Sequence, residues 1–483
     1  DYHKNYKKIR NKYYRKDCDS SFIEDHQERL LHRLLREQRT HKTIQQEPIP
    51  QKKQHQKRQL YKQLRRKRNE SNAHQKISFY EIFMAAHTDN IKLLHKCTTD
   101  DVKYIDINRY PNNEVEEWHE NYNKTILHIA IENGHDTFIT ALYNLFGNRI
   151  NVQVLNLNNG LVPLLAAASY GYANCITTLH KYFGDKINCA AVDPNNRNAL
   201  MIAAENGHAE CIATLNDIYG NKIDYKAVDK NNNNALLLAA KNGHADCIQV
   251  LDTIYTTTIN NSPLNIGKIV DYYNIVDHNK CNLLMLAAKS GNVECMLTVY
   301  SLYGDIIKCN AVDKDNNNVL MLAVKNGKVD CITALYSLYG PTINCNAVDK
   351  DNNNALMLAS CYNNVDCIKA LYNTYGNSIS CNAANKDNYN AIMLAAEKGR
   401  AACIKALYNI FGHKIDCNAV NKDNYNALML AVEKGHTACI KALYKAYNNK
   451  INHTMALLLA AEKGHADCII ALYYNFGHKI DCT

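Results

Sequence analysis

A thiol can form a disulfide, ligate a metal or attack an electrophile, and this chain carries 19 cysteines in 483 residues. Nine share one context: Cys175, Cys211, Cys247, Cys295, Cys331, Cys367, Cys403, Cys439 and Cys468, separated by 36, 36, 48, 36, 36, 36, 36 and 29 residues. A second set, Cys189, Cys309, Cys345, Cys381, Cys417 and Cys482, keeps step with the first. Histidines recur after glycine at His135, His208, His244, His436 and His465. Residues a full period apart form ladders, whereas catalysis and metal binding need side chains that converge. The chain has no C-x-x-C, H-E-x-x-H, P-loop or G-x-S-x-G, so neither enzyme chemistry nor a metal or other cofactor is expected.

The elements that carry these ladders can be read from one unit, "NALMIAAENGHAECIATLNDIYGNKIDYKAVDKNN", beginning at Asn198. "ALMIAAENGH" has apolar residues at helical spacing and stops at Gly207; "AECIATLNDIYG" is a second helix with Cys211, Ile212 and Leu215 on one stripe. "KIDYKAVDKNNN" is dense in turn formers and too polar for a helix. Each unit is therefore helix, tight turn, helix and projecting turn, and a fixed period of this kind denotes a solenoid. In the copy "CNAVDKDNNNALMLA", Cys345–Ala359, Asn354 is the expected N-cap, and Asn352 and Asn353 take the turn tip because Asn tolerates left-handed backbone angles. The 48-residue gap marks an insert near 254–270, and the 29-residue gap a deletion near Asn448–His453.

"TILHIAIENGHDTFITALYNLFG", Thr125–Gly147, resembles an ankyrin repeat's T-x-L-H-x-A-x-x-x-G-H. The later units are similar, with "NALM" in place of T-P-L-H and three extra residues after the second helix ("YGPTIN", "FGHKID"). Two weaker units precede Cys175, giving about eleven helix pairs over 78–483 and an all-α fold, an α-solenoid. The resemblance implies a protein-binding surface, and histidines that close each turn and bond to the neighbouring unit.

Helices stacked about 8–10 Å apart hold equivalent cysteines beyond the roughly 7 Å that a disulfide spans, so the helix-borne thiols are read as small buried hydrophobes. So many reduced thiols imply an intracellular, reducing compartment, cytosol or an organelle matrix such as the mitochondrion, and not secretion. The sequons at Asn123, Asn260 and Asn452 would then go unused. The "ALYxxYG" tyrosines (Tyr336, Tyr339, Tyr372, Tyr375) are read as a packing stripe, ahead of a base-stacking platform. No apolar run is long enough for a transmembrane helix. The sequence begins at Asp1 without an initiator Met, so a processed, trimmed or incompletely covered chain is expected.

Departures from the period carry the functional expectations. Asp100–Asn123 contains the single tryptophan, Trp118, among Glu114, Glu116, Glu117 and Glu120. Trp118, Glu116 and Glu117 are candidate contacts to a basic protein surface; the alternative is a solvated insertion. The last helix, "ADCIIALYYNFG", is as apolar as the internal ones, so a partner or further chain is expected to cover it.

Charge is uneven. Residues 1–77 hold 22 Lys and Arg against 9 Asp and Glu, net +13; of the chain's 56 and 47, that leaves 34 against 38 for 78–483, net −4. The arm has too few apolar residues to build a core. Lys52, Lys53, Lys57, Arg58, Lys62, Arg65, Arg66, Lys67 and Arg68 are its candidate contacts to RNA or another polyanion, as in the basic extensions of ribosomal proteins. Other readings are an acidic protein surface, a nuclear localisation signal at "RRKR" (Arg65–Arg68), or a membrane anchor. The expected function is a non-catalytic scaffold or structural subunit of a large assembly, foremost a ribonucleoprotein such as a ribosome. The alternative is a soluble adaptor or effector that binds only protein.

Overall fold

The computed structural model describes residues 77–111, 123–260 and 275–477. Unit 1 pairs Phe79–Thr88 with Ile91–His95, unit 2 Ile126–Glu132 with Asp136–Phe146, unit 3 Pro163–Tyr170 with Ala173–Phe183, and unit 4 Ala199–Glu205 with Ala209–Tyr219. Unit 5 pairs Ala235–Asn242 with Ala245–Asn260, unit 6 Leu283–Ser290 with Val293–Tyr303, unit 7 Val319–Lys325 with Val329–Tyr339, and unit 8 Ala355–Cys361 with Val365–Tyr375. Units 9 to 11 pair Ala391–Glu397 with Ala401–Phe411, Ala427–Glu433 with Thr437–Tyr447, and Ala456–Glu462 with Ala466–Phe476. Among the described residues there is no β-strand, only a single bridge between Asn156 and Leu161. This is the all-α solenoid the period predicts.

Most first helices start on a capping side chain: Asn354 Oδ1 accepts from the Met357 N–H at 3.0 Å, and Asn198, Asn234, Asn318, Asn390 and Asn426 do the same in their units. The first helices of units 3 and 11 instead begin after Val162 and Met455 with no side-chain cap. The helix itself is too short to stand alone, so its stability comes from packing. First helices pack on the first helices of adjacent units and second helices on second helices. One continuous core results, running from Phe79 to Phe476, in which all nine helix-borne cysteines are buried. Burying each Leu or Ile in it contributes roughly 1.5–3 kcal/mol. All seventeen described cysteines are free thiols.

The three extra residues per unit form a short 3-10 turn, such as Gly340–Thr342, directly after the second helix. Its glycine has φ 55° and ψ −138°, a conformation side chains rarely adopt, and a Cβ there would meet nothing within 4 Å. The backbone angle, and not crowding, selects Gly. Unit 10 has Asn448 at this position with φ 50° and ψ −125°.

Three expectations change. At the turn tip only Asn352 is left-handed (φ 64°); Asn353 instead donates Nδ2 to the Asp349 carboxylate, whose Oδ1 also accepts the backbone N–H groups of Asp351 and Asn353. The stretch from Asp100 to Pro111 is not an insertion but the projecting turn of unit 1, with Val102 and Ile107 in the core. The first part of the 254–270 insert is helical, continuing the second helix of unit 5 to Asn260, and the Thr253, Thr256 and Thr257 hydroxyls are accommodated there by donating back to the carbonyls of Gln249, Asp252 and Thr253.

Candidate functional site

Among the described residues no cluster of convergent catalytic groups stands out; the working surface is built from what the units repeat. Three sets of side chains bind units to their neighbours, each at several boundaries. Histidines of the Gly-His pairs bond backward: His208 Nε2 donates to the Ser169 carbonyl at 3.1 Å, His244 to Glu205, His436 to Glu397 and His465 to Glu433. Asparagines bond forward: Asn310, Asn346, Asn382 and Asn418 each donate Nδ2 to a carbonyl of the next unit's 3-10 turn (2.6–2.7 Å) and accept on Oδ1 a backbone N–H two residues beyond it (2.6–2.9 Å). Aromatic rings form the third set. Tyr300–Tyr339, Tyr336–Tyr375, Tyr372–Phe411, Tyr408–Tyr447 and Tyr444–Phe476 meet edge to face, with centroids 4.8–5.2 Å apart. These tyrosines are thus a packing stripe. In units 4 and 5 the first position of each pair is Asn216 and Asp252, so the stripe is interrupted there.

The asparagine clamps were missed in the sequence, although each follows a cysteine of the second ladder: Cys309-Asn310, Cys345-Asn346, Cys381-Asn382, Cys417-Asn418. They explain the 36-residue unit, because the 3-10 turn brings a carbonyl and an amide within reach of one carboxamide.

A charged row lies beside the projecting turns, one residue per unit near the end of each first helix. It reads Glu132, Ser169, Glu205, Lys241, Lys289, Lys325, Cys361, Glu397, Glu433 and Glu462. The acids have basic partners: Lys124 lies 2.7 Å from Glu132, Arg197 pairs with Glu205, and Lys398, Lys434 and Lys463 lie 3.3–3.7 Å from the Glu that each follows. Lys325 reaches Asp349 at 3.9 Å, whereas Lys241 and Lys289 are exposed with no carboxylate in ion-pair range among the described residues. Units 5 and 6 therefore present the two lysines of this row that lack an ion-pair partner among the described residues. At unit 11, Met455, Leu458, Ile470, Tyr473 and Tyr474 are all more than half exposed.

Lys52, Lys53, Lys57, Arg58, Lys62, Arg65, Arg66, Lys67 and Arg68, and also Trp118, Glu116 and Glu117, lie outside the described residues. Among the described residues, no three His, Cys, Asp or Glu side chains are placed to hold a metal ion, and no helix is long and apolar enough to cross a membrane.

The family model for ankyrin repeats (3 copies) matches residues 164–262, 260–349, 337–418 and 392–483, more than half of the chain. The chain belongs to the ankyrin-repeat family. As an ankyrin-repeat protein it is an interaction scaffold for protein partners, in a family of generally non-catalytic modules. Among solved structures it is similar to the human ASB11 ankyrin repeat domain, at 21% identity and a TM-score of 0.40 over 51% of this chain and 98% of that one. It is also similar to the ankyrin repeat domain of Bcl-3, a member of the IkappaB protein family, at 18% identity and a TM-score of 0.38 over 49% and 95%. No curated protein sequence matches. The ankyrin assignment rests on the repeat matches, which begin at unit 3; units 1 and 2 join the array through the same contacts, with His135 Nδ1 donating to the Ala86 carbonyl at 2.8 Å.

Proposed function

We propose that this ankyrin-repeat protein is a non-catalytic scaffold in a ribonucleoprotein assembly, with the repeat array holding a protein and the arm at 1–77 holding RNA. The array's part is supported by the exposed, unpaired Lys241 and Lys289 of adjacent units, which suit an acidic segment of a protein partner. The arm's part is supported by its net charge of +13 and by nine Lys and Arg between Gln51 and Glu70. Clustered cations neutralise phosphates and release counterions, so the binding should weaken steeply with salt. The test compares RNA binding by the full chain with that of a variant in which Lys52, Lys53, Lys57, Arg58, Lys62, Arg65, Arg66, Lys67 and Arg68 are replaced by Ser. Steep salt dependence that flattens in the variant is expected. Binding that is absent, or indifferent to salt and to the substitutions, would overturn the RNA half.

A second reading, a protein-only adaptor, is favoured by the exposed apolar group around Tyr473 and by Trp118 with Glu116 and Glu117. It predicts partner capture that survives nuclease and is lost when Trp118 is changed to Ala.

A further inference from the structure

The clamp position is filled by a carboxamide at Asn108, Gln153, Asn310, Asn346, Asn382 and Asn418, and each engages the following unit. In unit 3 it is Ala190, which makes the same local turn, its N–H donating to Asn188 Oδ1 at 3.0 Å, but has no side chain to reach across. The carbonyl of Lys222 and the N–H of Asp224 are the groups a clamp there would bind. The Lys222 carbonyl accepts only the weak Cys189 thiol at 3.7 Å, and the Asp224 N–H has no protein acceptor among the described residues.

The boundary is also hollow. A cleft of ≈ 540 Å³ opens at the turns of units 3 and 4, lined by His180, Lys186, Cys189, Tyr219 and Lys222 and, at its unit 2 edge, by Gln153. The equivalent cleft where Asn418 keeps its clamp is ≈ 260 Å³. Of the larger cleft's lining residues, the buried His180 Nδ1 has no hydrogen-bond partner among the described residues; the Tyr219 hydroxyl is also unpaired, but so are those of Tyr375 and Tyr447 at clamped boundaries.

The chemistry of the two open backbone groups selects the guest. They need one acceptor and one donor held side by side on a single small group. A primary carboxamide has both on one carbon, as the clamps at Asn310, Asn346, Asn382 and Asn418 use them. A hydroxyl must serve both groups from a single atom, and the two nitrogens of a neutral imidazole diverge; a carboxylate lacks the donor and would set an oxygen against the Lys222 carbonyl, and guanidinium and ammonium lack the acceptor. A trans peptide points its N–H and C=O in opposite directions. Gln153 at the preceding boundary, donating Nε2 to the Lys186 carbonyl at 2.7 Å, shows that the longer side chain also fits this kind of crevice.

We infer that the Ala190 cleft receives an Asn or Gln side chain of the protein held by the array, an inference that rests on the scaffold reading. The partner's carboxamide completes in trans the clamp that other units make in cis.

The test selects displayed random heptapeptides on the immobilised full-length chain and measures the winners on wild type, Ala190→Asn and Ala190→Gln, each checked for a wild-type unfolding midpoint or higher. Either substitution fills the site with the chain's own carboxamide. Selected peptides should include a set that requires an Asn or Gln, loses binding when that residue becomes Asp or Glu, and binds both variants about tenfold more weakly, the worth of two exposed hydrogen bonds. Peptides that bind all three proteins alike would overturn this inference and leave the scaffold reading standing. A selection that yields no binder at all would overturn both.

Discussion

Asn346 and Ser380, in units 7 and 8, are joined across the unit boundary: the Ser380 N–H donates to Asn346 Oδ1 at 2.8 Å, while the Asn346 amide donates to the Ser378 carbonyl at 2.6 Å. Asn346→Ala removes both bonds and should cost about 1–3 kcal/mol. Asn346→Asp should cost at least as much, because it keeps the acceptor but turns an oxygen toward the Ser378 carbonyl. Urea unfolding, with hydrogen exchange at the unit 7–unit 8 boundary, measures both. An unchanged boundary would show that the clamp contributes nothing.

Asn448 adopts φ 50° and ψ −125°, where the equivalent residues of units 2, 3, 4, 6, 7, 8 and 9 are glycine. That conformation costs a residue with a Cβ on the order of 1–3 kcal/mol. Asn448→Gly should recover part of this despite the added freedom of the unfolded chain, raising the unfolding midpoint. A lower midpoint would show that the site is not strained.

His128, buried between the Thr125 hydroxyl and the Leu161 carbonyl, has its pKa lowered from 6.5 to about 4, chiefly by burial. A depressed pKa means that the folded state prefers the neutral ring. Its contribution is therefore complete above pH 6.5 and is lost as pH falls through 4. Replacing His128 by Gln should flatten the acid limb of a stability–pH curve between those values. A curve that keeps its slope would assign acid sensitivity elsewhere.

The helix-borne thiols are shifted the other way. Burial raises Cys175, Cys211, Cys247, Cys295, Cys331 and Cys439 from 9.0 to about 12. A raised pKa favours the protonated thiol in the fold, so its contribution is complete below pH 9 and is lost as pH rises toward 12. Stability should fall across that window, and less in Cys331→Ala than in wild type once the smaller side chain's loss at neutral pH is subtracted. Equal alkaline slopes would contradict the burial of Cys331.

The helix pairs, their capping asparagines and the buried cysteines were legible because each is a local pattern repeated many times, and repetition averages out local ambiguity. The second-helix tyrosines were placed correctly for the same reason. The clamps were not legible: Asn346 looks like any turn asparagine until Ser378 and Ser380 are brought beside it from the next unit. The charged row was hidden likewise, since Lys241, Lys289 and Lys325 sit one per unit and read singly as solvated helix ends. Val102 and Ile107 read as part of an acidic insertion because two buried residues among charges leave too weak a period to see. The arm's candidate contacts, Lys52 to Arg68, rest on charge clustering alone and lie outside the described residues.

The interruption of the aromatic stripe at Asn216 and Asp252 bears on how the chain finds its register. From unit 6 onward the contact surfaces are near copies, as Cys309–Ala323, Cys345–Ala359 and Cys417–Ala431 show, so a second helix that skips a neighbour meets an almost equivalent docking face. A refolding array of this kind can be trapped one unit out of step. Asn216 and Asp252 carry no ring at the position held by Tyr143, His180, Tyr300, Tyr336, Tyr372, Tyr408 and Tyr444, which sets units 4 and 5 apart from their neighbours in an otherwise repetitive array.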